Sequence, residues 1–310
     1  MSDKRATRAA FGATLVELAN EGRDDIVALD ADLAMSTTTS KFAAAFPDRF
    51  FDMGIAEQNM VATAAGLAVG GKTPFTGSFA VFGTGRAYDQ IRNSVCYANL
   101  SVKICPTHAG ITVGPDGGSH QMLEDIALMR VLPGMRVVVP ADYNAARAAS
   151  RTAAETPGPF YVRLGRATVP AIHPDDFAFE PGTAYVLREG ADVTLAACGV
   201  MVERALAAAE LLAAEGVSAE VIDVMSVKPL DEEALLASAA KTGAVVTCEE
   251  HELAGGMGSA IAELLGEKLP TRMARVGIRD TFGTSGDPEE LMAYYGLTAP
   301  DVAQAARGLL

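Results

Sequence analysis

The stretch "FFDMGIAEQNMVATAAGLAVGG", residues 50–71, decides the fold class. Residues 49–57 form an apolar, strand-like run, and "NMVATAAGLAVGG" (59–71) reads as a small-residue helix closed by the Gly70-Gly71 cap. A strand passing directly into a helix is one βα unit. Between the two stands Glu57, and a carboxylate at such a junction needs a partner.

Outward from this unit the same alternation repeats. Strand-like runs lie at 24–32 ("DDIVALDAD"), 73–80, 101–108, 135–142 and 158–165, with helical patterns at 85–99 and 143–155 and an amphipathic helix pattern over 1–19. A composition break follows over 168–184, rich in Pro, Asp and Phe and without helical or alternating period. Beyond it, strands at 192–199, 218–226, 244–251 and 271–278 alternate with helices at 202–216, 231–243 and 256–267. The expectation is an α/β protein of two domains with largely parallel sheets flanked by helices. The first domain spans 1–170, a linker 171–184 and the second domain 185–310.

Composition narrows the function. Hydrophobic residues at 49% and charged residues at 21% describe an ordinary globular chain, and the net charge of −14 argues against nucleic acid and anionic membranes as partners. No run of 18 apolar residues occurs, and the N-terminus has no signal-like apolar core. The four cysteines (96, 105, 198, 248) show no C-x-x-C pairing, which suits reduced core cysteines in a cytoplasmic protein.

Ligands of open α/β sheets collect at the carboxyl ends of the strands. Asp30, Asp32, Glu57, Ser78, Phe79, His108 and Arg166 all stand at or just after such ends, so one crevice is expected to gather them. His108 and His120, two of only four histidines, bracket the Gly-rich loop "HAGITVGPDGGSH" with Asp116 inside it. Glycines there allow close backbone approach to a ligand. A metal is disfavoured because no third ligand is evident.

Several long motifs carry a resemblance. "DMGIAEQNMVATAAGLA", "PFTGSFAVFGTGRAYDQIR" and "HAGITVGPDGGSHQMLEDIALMRVLPGMRVVVPAD" resemble the pyrimidine-binding domain of transketolases. "EEHELAGGMGSAIAELL" and "DTFGTSGDPEELMAYYGLT" resemble the transketolase C-terminal domain. The resemblance covers essentially the whole chain, in order and spacing. It lacks the family's diphosphate-binding domain with its Gly-Asp-Gly motif, which implies the C-terminal subunit of a split, two-gene transketolase.

That resemblance implies thiamine diphosphate as cofactor, with Mg²⁺ held by ligands on an N-terminal partner subunit in an assembly of two copies of each chain. It implies transfer of a two-carbon ketol unit between phosphorylated sugars, as in pentose phosphate metabolism. Glu57 corresponds to the carboxyl that hydrogen-bonds the cofactor's pyrimidine N1′ and acts as its acid–base partner; the bland alternative is a helix-start acid favoured by the helix dipole. Phe82 corresponds to the aromatic stacked on the pyrimidine, Phe79 to a wall of the same pocket, Leu33 to the wedge beneath the cofactor, and Asp32 to a further cofactor contact. Phe79 and Leu33 also read as core residues. His108, Asp116 and His120 correspond to contacts with sugar hydroxyls and phosphate, with His120 also catalytic.

Arg166 matches a strand-end arginine that pairs with substrate phosphate, Arg163 being the weaker alternative, and Arg8 and Ser36 match two more phosphate contacts. A planar guanidinium suits phosphate, though Arg8 also reads as a solvated helix residue. His251 and the Gly-rich turn "AGGMGSA" could bind an anion, but the resemblance implies no catalytic part for them; His173 reads as a solvated linker residue. Two other members of the broader enzyme class share this domain plan. They are 1-deoxyxylulose-5-phosphate synthase and the β subunit of a 2-oxoacid dehydrogenase; "GIAEQNM" and "GPDGGSHQ" speak against the latter.

Overall fold

The apolar run "IVALD" is buried at every residue, as a parallel strand covered on both faces must be. It is β1 (Ile26–Asp30) in a computed structural model that describes residues 4–310. The first sheet continues with β2 (Phe50–Asp52), β3 (Thr73–Gly77), β4 (Lys103–Ile104), β5 (Arg136–Val138) and β6 (Phe160–Val162), all parallel. Helices α1 (Thr7–Asn20), α2 (Glu57–Val69) and α3 (Tyr143–Glu155) alternate with these strands. Ile26 and Ala28 pack with Phe11 and Leu15 of α1 and Ala145 and Ala149 of α3, while Val27 and Leu29 meet Met60, Val61 and Ala64 of α2. The pleat thus sends alternate residues of one strand into two helix layers. Asp142 starts α3 by accepting the Ala145 amide at 2.7 Å. The helix pattern read over 1–19 begins at Thr7; its first three residues lie outside those described.

The second half builds a five-stranded sheet from β7 (Tyr185–Arg188), β8 (Val193–Ala197), β9 (Ala219–Asp223), and, after a short β10 (Ser226–Lys228), β11 (Ala244–Glu252) and β12 (Arg272–Ile278). Its order is β12-β11-β8-β9-β7. Around it lie α4 (Met201–Ala213), α5 (Glu232–Thr242), α6 (Met257–Lys268), α7 (Pro288–Tyr294) and α8 (Ala299–Arg307). Strand β7 is antiparallel at the edge. Strand β10 crosses to the first sheet, antiparallel to β5, giving the order β10-β5-β6-β4-β3-β1-β2. One apolar cluster, including Tyr161, Val139, Ala196, Ile222 and Met257, runs through both halves.

Residues 171–184 carry no helix or strand, but they are not loosely solvated. His173 corrects the sequence expectation: it is buried, its Nε2 lies 2.8 Å from Asp223 Oδ2, and its ring sits 4.0 Å from that of Phe177. Asp142 accepts the Ile172 and His173 amides. The Asp- and Pro-rich composition reads as solvent-facing, whereas these long-range pairs pin the segment down. All four cysteines are free and buried, and no helix among the described residues is long and apolar enough to cross a membrane.

Candidate functional site

The carboxyl ends of β1, β3, β4 and β6 and the start of α2 bring most of the expected residues together. Glu57 is the first residue of α2 and is 1% exposed. Its Oε2 accepts from Arg86 Nη1 at 2.7 Å, and the half-exposed Arg86 guanidinium lies 4.6 Å from the Phe82 ring centroid. Phe82 and Arg86 sit four residues apart on a π-helical segment, Val81–Arg86. Helical segments of this kind are rare and favour functional positions. Phe79 lies nearly parallel to Phe82, with centroids 6.2 Å apart, and His120 meets Phe82 edge-on at 5.3 Å.

His108 is the hinge between this aromatic corner and the arginines. It is buried, and its ring stacks on Phe79 at 3.8 Å. Nδ1 lies 2.7 Å from Thr107 Oγ1, and Nε2 lies 3.3 Å from Arg8 Nη1. Its φ of +59° is a left-handed conformation that costs a non-glycine residue of order 1 kcal/mol and clusters at functional sites. Burial, followed by the charges of Arg8, Arg166 and His120, pushes its pKa down to about 3. His108 is therefore a neutral hydrogen-bonding group, not a charged one. Burial and then Arg166 also lower the pKa of Arg8, which makes neutralising company for that guanidinium favourable.

Arg8 Nη1 donates to the Ser36 carbonyl at 2.7 Å. Arg166 Nη1 donates to the Val113 carbonyl at 2.7 Å and lies 3.5 Å from the exposed Asp116. The alternative Arg163 is ruled out as a ligand: it is buried, with Nε on Asp125 at 2.7 Å and Nη2 on the Met122 and Glu250 carbonyls. Leu33 is half-buried at the head of the short helix Ala34–Thr37, and Asp32 is exposed with φ +62°. The Asp32 amide donates to Asp52 Oδ1 at 3.1 Å and the Leu33 amide to Asp30 Oδ1 at 2.7 Å.

Two groups take parts that the sequence does not assign. Asp30, expected only as one of the strand-end residues of the crevice, is fully buried and organises the loop that follows. It accepts from the Leu33 amide (2.7 Å), Thr37 Oγ1 (2.7 Å) and Thr39 Oγ1 (2.9 Å). Burial raises its pKa to about 6. Gly77 is required beside it, since a Cβ there would stand 2.6 Å from Asp30 Oδ2. Arg86 was missed, although its i+4 spacing from Phe82 was a usable signal.

Two clefts flank the 108–120 loop. One, about 380 Å³, is lined by Arg166, Thr112 and Pro115 from the first half and Asp287 and Pro288 from the second. The other, about 530 Å³, involves Val81, Ser119, Gln121 and Phe282. A third, about 510 Å³, opens on the second half around Arg275, Arg279 and Tyr295, away from every group described so far. Arg275 there is already engaged by the Leu253 carbonyl at 3.0 Å.

The aromatic corner fits a planar heterocycle with a protonatable ring nitrogen. Phe82 offers a half-buried ring face, and Glu57 offers a buried carboxylate with only one oxygen taken up by Arg86. Stacking of this sort is worth about 0.5–1.5 kcal/mol beyond burial and orients a ring more than it binds one.

Comparison with known proteins gives the family. Residues 3–171 match the family model described as "Transketolase, pyrimidine binding domain", and residues 182–302 match "Transketolase, C-terminal domain". A "Putative transketolase C-terminal section" from Methanocaldococcus jannaschii is 46% identical over 97% of this chain and 95% of that protein. A 6-deoxy-6-sulfo-D-fructose transketolase subunit from Clostridium sp. is 48% identical over 91% and 88%. A 1-deoxy-D-xylulose-5-phosphate synthase from Desulforudis audaxviator is 43% identical over 96% of this chain, which spans only 47% of that enzyme. A solved structure titled "Split gene transketolase, inactive beta4 tetramer" superposes with a TM-score of 0.90 at 54% identity, over 98% of both chains. The chain belongs to the transketolase family and aligns along its length with the C-terminal subunit of the split form.

Proposed function

We propose that this chain is the C-terminal subunit of a thiamine-diphosphate-dependent transketolase that moves a two-carbon ketol unit between sugar phosphates. It comprises a pyrimidine-binding domain over 1–170, a linker over 171–184 and a C-terminal domain over 185–310. It acts in the cytoplasm with an N-terminal diphosphate-binding subunit, two copies of each, and that partner supplies the Mg²⁺ ligands. When bound, thiamine diphosphate supplies a nucleophilic carbon able to accept the ketol fragment. Glu57 holds a proton against the pyrimidine N1′, and Phe82 and Phe79 fix the plane of that ring. Leu33 and Asp32 border the cofactor. His108, as a neutral ring, and Asp116 hold sugar hydroxyls; His120, beside Phe82, handles a proton at the substrate oxygen. Arg8, Arg166 and the Ser36 segment receive the phosphate.

The observation that carries this reading is the joining of a buried carboxylate and an aromatic face to a cationic end, Arg8 and Arg166 around the neutral His108, in a chain of net charge −14. Local positive charge in an acidic protein focuses an anionic substrate. A phosphate bound in ground and transition states alike contributes to KM and not to kcat. A hydrogen bond to a charged group is worth about 1.5–3 kcal/mol, so Arg166→Ala raises KM for a phosphorylated acceptor by roughly one to two orders of magnitude. The same variant treats an unphosphorylated acceptor almost as the parent does. Equal loss toward both acceptors contradicts the phosphate assignment.

The likeness to 1-deoxy-D-xylulose-5-phosphate synthases supports a second reading, condensation with a 2-oxoacid donor. Release of CO₂ from such a donor by the reconstituted enzyme, with no turnover of a ketose phosphate, decides for it.

A further inference from the structure

The segment "DTFGTSGDPEE" (280–290) belongs to the second half, yet it lies on the 108–120 loop of the first. Gln121 Nε2 donates to the carbonyls of Ile111 (3.1 Å), Gly114 (3.3 Å) and Thr284 (2.9 Å), joining both ends of the loop to the second half. Ser285 Oγ donates to the Pro115 carbonyl at 2.6 Å. Packing is so close that a Cβ on Gly118 would stand 2.4 Å from the Gly283 carbonyl, and one on Gly283 would stand 1.8 Å from Gln121 Oε1.

A second hold lies at the root of the loop. Glu250, on β11, is buried, and its Oε1 accepts the Thr112 amide at 2.6 Å. Gly110, with φ +86°, presses on the same carboxylate; a Cβ there would stand 2.2 Å from its carbon. Between these two holds the loop carries Asp116 and His120, and its Val113 carbonyl fixes Arg166. Neither Glu250 nor Gly283 is among the residues assigned to cofactor or substrate.

We propose that Glu250 and the 283–285 strip position this loop, so that these residues set affinity for the substrate phosphate without touching it; this rests on the phosphate reading above. Removing the Glu250 carboxylate leaves a buried amide without its acceptor and frees the loop. Adding a methyl at Gly283 pushes the loop from the other side.

The test uses the full chain for amide exchange and the enzyme reconstituted with its partner for kinetics. In Glu250→Ala the Thr112 amide exchanges about tenfold faster or more, while Glu250→Gln, which keeps an acceptor oxygen, stays near the parent. In both Glu250→Ala and Gly283→Ala, KM for a phosphorylated acceptor rises about tenfold with kcat within about twofold, and an unphosphorylated acceptor is little affected. Unchanged exchange across 109–121 in Glu250→Ala overturns the proposal. So does faster exchange with equal losses toward both acceptors. If Arg166→Ala remains selective in that case, only the positioning role has failed; if it too loses selectivity, the phosphate reading has failed with it.

Discussion

Both sheets end in acidic and histidine side chains, but they treat them differently. At the ends of the first sheet, Glu57 keeps one oxygen uncommitted to Arg86, Phe82 keeps a half-buried face, and Arg8 and Arg166 face mainly carbonyls and an exposed Asp116. At the end of β11, Glu249, Glu250 and His251 are all buried and all committed. Glu249 accepts the Met257 and Gly258 amides at the start of α6 (2.7 and 2.9 Å). The amides of the Gly-rich turn that could have bound an anion are thus already taken by a carboxyl group of the same chain. His251 takes the Ala127 amide on Nε2 (3.3 Å), has Nδ1 2.6 Å from the Glu252 carbonyl, and is held neutral by burial, its pKa lowered to about 4. Position at a strand end is therefore shared by a candidate site and a structural seam. What separates them is whether the polar atoms still have capacity for a ligand.

The largest effect is expected at Glu57. Glu57→Gln keeps shape and a hydrogen bond but removes the acid–base function, which typically contributes ~10²–10⁴-fold. In the reconstituted enzyme kcat falls in that range while folding survives, and retention of more than about half the activity contradicts the assignment. On the seam side, Glu249→Gln leaves kcat within about twofold and acts on stability instead. Burial raises the Glu249 pKa from 4.5 to about 7, so the folded state favours the protonated form. The contribution of this group to stability is full below about pH 4.5 and is lost as pH rises toward about 7. Denaturation of parent and variant across that window gives converging curves toward low pH and a flatter profile for Glu249→Gln. Parallel profiles would show that Glu249 does not titrate there.

Much of the layout was legible because it is local. The βα alternation, the Glu57 junction and the paired histidines around a Gly-rich loop are patterns within a few dozen residues, and the structure does bring Glu57, Phe79, Phe82, His108, His120, Arg8 and Arg166 into one neighbourhood. What stayed hidden depends on contacts far apart in the chain. His173 meets Asp223 fifty residues on, and Thr112 meets Glu250 across 138. Strands as short as β7 and β10 carry too few residues for a period to register. Asp30 and Asp32 look alike in sequence, and only the position of Thr37 and Thr39 makes the first the organiser of its loop.

The central claim is that this chain holds one half of a composite active site. The measurement that bears on it most directly is turnover of sugar phosphates by the purified chain, with thiamine diphosphate and Mg²⁺, in the absence and presence of the N-terminal subunit. The account predicts no turnover by the chain alone and activity on addition of the partner, in a species that light scattering sizes as two copies of each subunit. Turnover by the chain alone would contradict it.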